Sequence, residues 1–128
     1  MDGTTERLKR RAQETGIAPR TLAARYVEEG LRHDEHRMIR FVDGETGRRA
    51  ALSGTGLDVW EVIATVRDND GDAAATAEYL GVPAGLVEAA ITYYGAFTDE
   101  IDGEIARNDE ASRRGLEAWQ QGQRALRR

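Results

Sequence analysis

Polar and apolar residues follow one another along this chain with a period that changes twice. From Thr4 the spacing is helical: Leu8 and Ala12 share a face in "ERLKRRAQET", with Lys9, Arg10 and Arg11 beside them. Thr4 or Thr5 is placed to cap this helix and Gly16 to stop it. Pro19 suits a first helical turn, and "RTLAARYVEEGLR" sets Leu22, Tyr26, Val27 and Leu31 at helical spacing for a second helix, which Gly30 weakens slightly. From His36 the period shortens. In "RMIRFV", Ile39 and Phe41 oppose Arg40. "DGETG" is a turn signal and "RRAALS" returns, which predicts a short β-hairpin.

The helical period then resumes. In "SGTGLDVWEVIATV", Gly54 and Gly56 permit a tight bend, and Asp58 with Glu61 three residues on forms a capping-box pair. Val59, Val62, Ile63 and Val66 make the stripe to be buried, with Trp60 beside it at the hairpin or at a dimer seam. Asp72 caps "AAATAEYL", Gly81 stops it, and Pro83 begins "PAGLVEAAITYYGAF", in which Leu86, Val87, Ala90 and Ile91 face inward. Beyond Phe97 the apolar positions thin out to Ile101, Ile105, Leu116, Trp119 and Leu126, interrupted by Gly103, Gly115 and Gly122. That spacing predicts helix that is frayed or dependent on a partner.

The stretch around Gly81 has the rhythm of a helix-turn-helix. Ala77 lies four residues before that glycine, and Val82, Val87 and Ala90 follow it by one, six and nine. A helical core that never touches DNA meets the same spacing. The outward face of the would-be reading helix carries Pro83, Ala84, Gly85, Glu88, Ala89 and Thr92. No Lys, Arg, Asn or Gln occurs between Gly71 and Ala106. Phosphate contacts and base readout both need those residue types, so this helix is not expected to read DNA. Its small apolar surface, with Ala84, Ala89 and Tyr93, suits a protein interface better. Val59, Trp60, Ile63 and Tyr93 are therefore assigned to the core or to a dimer contact.

Charge divides the chain into three. The net charge of −5 is the sum of +2 over residues 1–50, −11 over 51–110 and +4 over 111–128, and every cation except Lys9 is arginine. Two basic ends around an acidic middle imply different partners for different segments. There is no cysteine, which removes disulfides, thiolate metal sites and a thiol nucleophile. No apolar run reaches the ~18 residues of a membrane span, and the N-terminus lacks the apolar stretch of a signal peptide. These features predict a cytoplasmic protein of one modest domain with an appendage, 128 residues in all, acting as a dimer and away from membranes. His33 and His36 in "RHDEH" have no third ligand at convincing spacing, so no metal is expected. Carboxylates sit at helix caps rather than in acid–base pairs, and no Ser/His/Asp set or phosphate-cradling loop is present. No catalytic residue, no cofactor and no enzymatic activity are expected.

From His36 to Asp102 the chain resembles the domain-of-unknown-function 433 family, whose helix-turn-helix-like domains occur in antitoxins of bacterial toxin–antitoxin pairs. The likeness rests on the hairpin, then "GTGLDVWEVI" in place of the family's Gly-Thr-Arg-Ile-x-Val-Trp-like opening, then "AEYLGVPAGLVEAAITYY" and "DEID". It covers about half the chain. Gly56 stands where the family commonly has an arginine. The run "RFVDGETGRRAALSGTGLDVWEVI" is similar to actinobacterial members described as VapB-type antitoxins, partners of VapC toxins, which are PIN-fold ribonucleases that use Mg²⁺. Separately, the N-terminal helix pair resembles the helices of a ribbon-helix-helix repressor, without the base-reading strand: only Met1 to Thr4 precede the first helix. Arg10, Arg11 and Arg20 are left as candidates for phosphate contact with operator DNA, or as an ordinary solvated face. Arg48 and Arg49 after the hairpin turn are open to the same use, or to pairing with the acidic middle of a second subunit.

The resulting expectation is a mainly α fold: an N-terminal helix pair (1–35), a hairpin with a helix-turn-helix-like tri-helical core (36–102) and an arginine-rich helical tail (103–128). The resemblance implies a homodimeric antitoxin whose tail wraps a PIN-domain toxin. Leu116, Trp119 and Leu126 would supply apolar burial. An arginine among Arg113, Arg114, Arg124, Arg127 and Arg128 would enter the toxin's acidic cleft and displace its metal. The alternative is a stand-alone dimeric DNA-binding regulator.

Overall fold

The computed structural model describes residues 3–44 and 47–128; Glu45 and Thr46 of the "DGETG" signal lie outside the described residues. The chain is mainly helical, in the order α1 (Thr4–Thr15), α2 (Pro19–Glu35), β1 (Ile39–Gly44), β2 (Gly47–Leu52), α3 (Val59–Asp68), α4 (Ala73–Leu80), α5 (Ala84–Ala96) and α6 (Thr98–Leu126). The strands form an antiparallel hairpin in which Ile39 pairs with Leu52 and Phe41 with Ala50. The period of two sends these four side chains to one face. Ile39, Leu52 and Ala50 are buried there against Val59, Val62 and Ile63 of α3, Val87, Ala90 and Tyr93 of α5, and Ile101 of α6.

Local chemistry fixes the helix ends. The loop after β2 bends at Gly54 (φ 79°) and Gly56 (φ 71°), backbone conformations that side chains with a Cβ disfavour. The Leu52 N–H donates to the Leu57 carbonyl at 2.8 Å and closes that loop. The Asp58 N–H then donates to Glu61 Oε1 at 3.1 Å, the capping-box contact. Asp72 Oδ1 accepts from the Ala75 N–H at 3.0 Å, and Gly81 ends α4 in the left-handed region (φ 69°). α3, α4 and α5 pack on one another, with Gly81 in the turn between α4 and α5.

Four expectations change. The cap of α1 is Gly3, and Thr4 is already helical, so neither threonine is the cap. On α2 only Leu22 is buried, while Tyr26, Val27 and Leu31 are exposed. With Ala12 of α1, Leu22 is the whole buried apolar complement of the helix pair among the described residues, and neither joins the main core. On α5 the inward set is Val87, Ala90 and Tyr93. Ile91 is exposed, because α3, α4 and α6 pack against α5 on the side of Val87, Ala90 and Tyr93 and leave the Ile91 edge open. Tyr93, at 0 % exposure, is core and not part of an outward apolar face.

The fourth change is the tail. α6 is one unbroken 29-residue helix, about 43 Å long at 1.5 Å per residue, and it passes through Gly103, Gly115 and Gly122 without interruption. Each helical glycine costs about 1 kcal/mol relative to alanine. Against that, Arg113 bridges Glu110 and Glu117, both at 2.6 Å, and Arg114 bridges Glu110 at 3.0 Å. Such pairs three and four residues apart contribute about 0.3–0.5 kcal/mol each. The packed first turns nucleate the helix, which removes the costliest step for the rest.

Candidate functional site

The distal part of α6 exposes large apolar side chains along one face. One apolar stripe runs along the helix through Ile101, Ile105, Leu116, Trp119 and Leu126. Its spacings of four, eleven, three and seven residues are each close to a whole number of turns, and the small Ser112 shares the same face between Ile105 and Leu116. At the root Ile101 is fully buried and Ile105 packs against the core. Further on no described residue covers the stripe. Leu116, Trp119 and Leu126 are 56 %, 63 % and 80 % exposed. The face that packs inward at one end is bare at the other.

Two arrangements at the root aim this helix. Consecutive tyrosines on α5 each donate to a carboxylate on α6, and an arginine from another helix completes each set. Tyr93 Oη donates to Glu100 Oε2 at 2.9 Å, while Arg32 Nη1 of α2 donates to Tyr93 Oη at 2.8 Å and to Glu100 Oε1 at 2.9 Å. The Arg32 guanidinium also lies 3.8 Å from the centre of the Phe97 ring, at the α5–α6 junction. Burial, and then the charge of Glu100, push the Tyr93 hydroxyl pKa up, so it remains a donor at any physiological pH. Tyr94 Oη donates to Asp102 Oδ1 at 2.8 Å, and Arg67 Nη2 of α3 donates to both at 2.6 Å. These bonds from Tyr94 and then Arg67 hold the Asp102 carboxyl below its ordinary range. Sequence reasoning missed both clamps. The adjacent tyrosines followed by acids seven and eight residues later were the available signal.

The five tail arginines fall into two groups. Arg113 and Arg114 are occupied by Glu110 and Glu117. Arg124, Arg127 and Arg128 are exposed and make no ion pair with any described residue. The unpaired tail arginines therefore gather at the end of α6: Arg124 in its last turn, Arg127 at its C-cap and Arg128 just beyond.

The other predicted site residues lie elsewhere. Arg10, Arg11 and Arg20 are exposed on the helix pair, and Arg11 bonds Glu14 at 3.2 Å. Arg48 is engaged within the chain: it bonds Glu29 of α2 through Nε at 3.0 Å and Asp43 at 3.2 Å, which ties the hairpin to the helix pair. Arg49 Nε lies 3.0 Å from Asp58 Oδ2, off the line of a directed hydrogen bond. Val59 and Ile63 are core, and half-buried Trp60 donates to Asp58 Oδ2 at 3.0 Å, beside the hairpin. His33 Nδ1 is 2.8 Å from the Ile39 carbonyl, and His36 packs edge-on against Tyr93 at 5.2 Å between ring centres. Among the described residues no group of three or more His, Cys, Asp or Glu is placed to hold a metal ion, and no helix is long and apolar enough to cross a membrane.

The chain matches no protein family, no curated protein and no solved structure.

Proposed function

We propose that this protein is an antitoxin that captures a PIN-domain ribonuclease with the distal part of α6. The observation that carries the reading is the free end of that helix, an uncovered Leu116–Trp119–Leu126 stripe leading into three unpaired arginines. An aromatic anchor flanked by leucines suits a hydrophobic groove, the common mode by which a helix is bound. Arg128 lies nine residues beyond Trp119, about 13 Å along the axis if the last residues continue the helix. The partner is thus expected to place an acidic cleft at about that distance from its groove. Carboxylates gathered around Mg²⁺ in a ribonuclease would accept bidentate bonds from arginine, and the incoming cation would displace the metal. The reading includes a homodimer. Support comes from Tyr26, Val27 and Leu31, exposed on a helix pair with little core of its own, and from a groove of about 660 Å³ in which Leu8, Ala23, Tyr26 and Val27 are rimmed by Thr4, Arg7, Arg10, Arg11 and Glu14.

The test is truncation after Asp109, followed by co-purification with the product of the neighbouring gene and assay of that product for nuclease activity. The truncated chain should keep its helical circular-dichroism signal over residues 3–109 and lose both binding and inhibition. Inhibition that survives truncation refutes the assignment.

A second reading, operator binding by the N-terminal segment, is favoured by Lys9, Arg10 and Arg20 on the exposed surface of α1 and the first turn of α2. It predicts retention on the upstream DNA that falls steeply with salt and weakens when Arg10, Arg11 and Arg20 are replaced together by alanine. Gel-shift titration at two salt concentrations measures this, and absence of binding at low salt rejects it.

A further inference from the structure

The seam where α6 meets the hairpin and α3 holds a carboxyl group that neither reading uses. Glu104 is buried at 9 % exposure, and its Oε2 has no hydrogen-bond partner among the described residues. Buried polar atoms are nearly always satisfied, so a carboxyl oxygen with no protein partner at this seam calls for a physical account. Groups of both signs surround it. On α6 itself Glu100 lies one turn before it and Arg107 three residues after. Asp58 faces it from the start of α3 and Arg49 from β2. The surrounding partners are largely committed. Asp58 takes the Trp60 indole N–H and lies 3.0 Å from Arg49 Nε, while Glu100 is held by Arg32 of α2 and Tyr93 of α5. A charge on Glu104 would therefore enter a seam that already contains two carboxylates, one of whose nearby cations is engaged by Asp58.

We propose that Glu104 is a proton-operated latch for the root of α6: neutral, it lets the helix seat on the hairpin and α3; ionised, it loosens that seat. Burial, reinforced by Glu100 and opposed by Arg107, raises its carboxyl from the ordinary 4.5 to about 7. The unfolded chain releases this proton near 4.5 and the folded chain near 7. Between those values the folded state holds the extra proton. The stabilisation is full below about 4.5, falls as pH rises through 7, and levels off above it. The latch acts on the seating of the helix, so it stands whether or not the partner is a ribonuclease, and its test needs no partner.

The experiment follows the side-chain carboxyl resonances of the intact protein by NMR, and amide hydrogen exchange over residues 101–108 at pH 6 and pH 8 with intrinsic exchange rates divided out. Glu104 should titrate near pH 7, and exchange at the root should be about tenfold faster at the higher pH. In Glu104→Gln the exchange difference should vanish. A Glu104 midpoint below 5, equal corrected exchange at the two pH values, or an undiminished difference in Glu104→Gln overturns the proposal. Should the variant fail to fold, the titration and exchange of the unsubstituted protein decide alone.

Discussion

Tyr93→Ala should lower the free energy of unfolding by about 4 kcal/mol, the usual cost of removing a large aromatic from a packed core. The ring is fully buried, packs on Phe97 at 4.7 Å between centres and carries the hydroxyl shared by Arg32 and Glu100. A loss of that size is a large fraction of the whole stability of a small domain, so the variant is expected to be partly unfolded at 37 °C. Tyr93→Phe separates the two contributions. It keeps the ring and leaves Arg32 and Glu100 to bond each other directly, and should cost about 1–2 kcal/mol. Urea denaturation followed by circular dichroism measures both. A Phe variant as damaging as the Ala variant would place the weight on the hydroxyl network and not on packing.

Trp119→Ala should do the opposite: leave stability unchanged within about 0.5 kcal/mol and weaken partner binding by about 2–3 kcal/mol, roughly 30- to 150-fold in Kd. The indole is 63 % exposed and has no hydrogen-bond partner among the described residues, so the fold loses little with it. Calorimetric titration of both proteins against the proposed PIN-domain partner measures the difference. Glu117→Ala, on the same helix, is the matched control, because it removes only an exposed ion pair with Arg113. Equal affinity of the Trp119 variant and the unsubstituted chain would remove the distal stripe from the binding surface.

Local chemistry was legible before the structure. Asp58 with Glu61, Asp72 and Gly81 act within three or four residues of themselves, so their roles could be read from adjacent letters. The hairpin followed from alternation, and the stripe of α3 from its period. A period identifies an apolar face but not the neighbour that covers it. Tyr26, Val27 and Leu31 were legible as a stripe and are exposed; Ile91, set inward by the same period, is exposed for the same reason, while Tyr93, assigned to the core or a dimer contact, is core. The Arg32–Tyr93–Glu100 clamp joins residues 61 and 68 positions apart, a relation that no local pattern encodes. The tail is a milder case. Its glycines were given weight, while Glu110 three and four residues before Arg113 and Arg114 was the stabilising signal left unused. The Leu116, Trp119 and Leu126 stripe was legible because its residues are apolar in a polar, arginine-rich context. The division of the arginines into bound and unbound sets needed coordinates.

The unbroken stem of α6 also makes the molecule a lever. From Ile105 to Leu126 the arm is about 32 Å long, so a rotation of roughly 5° at the root displaces the tip by about 3 Å, comparable to the length of a hydrogen bond. Arg67, Tyr94 and Asp102 touch nothing near Trp119, yet through that arm they set where Trp119 is in space.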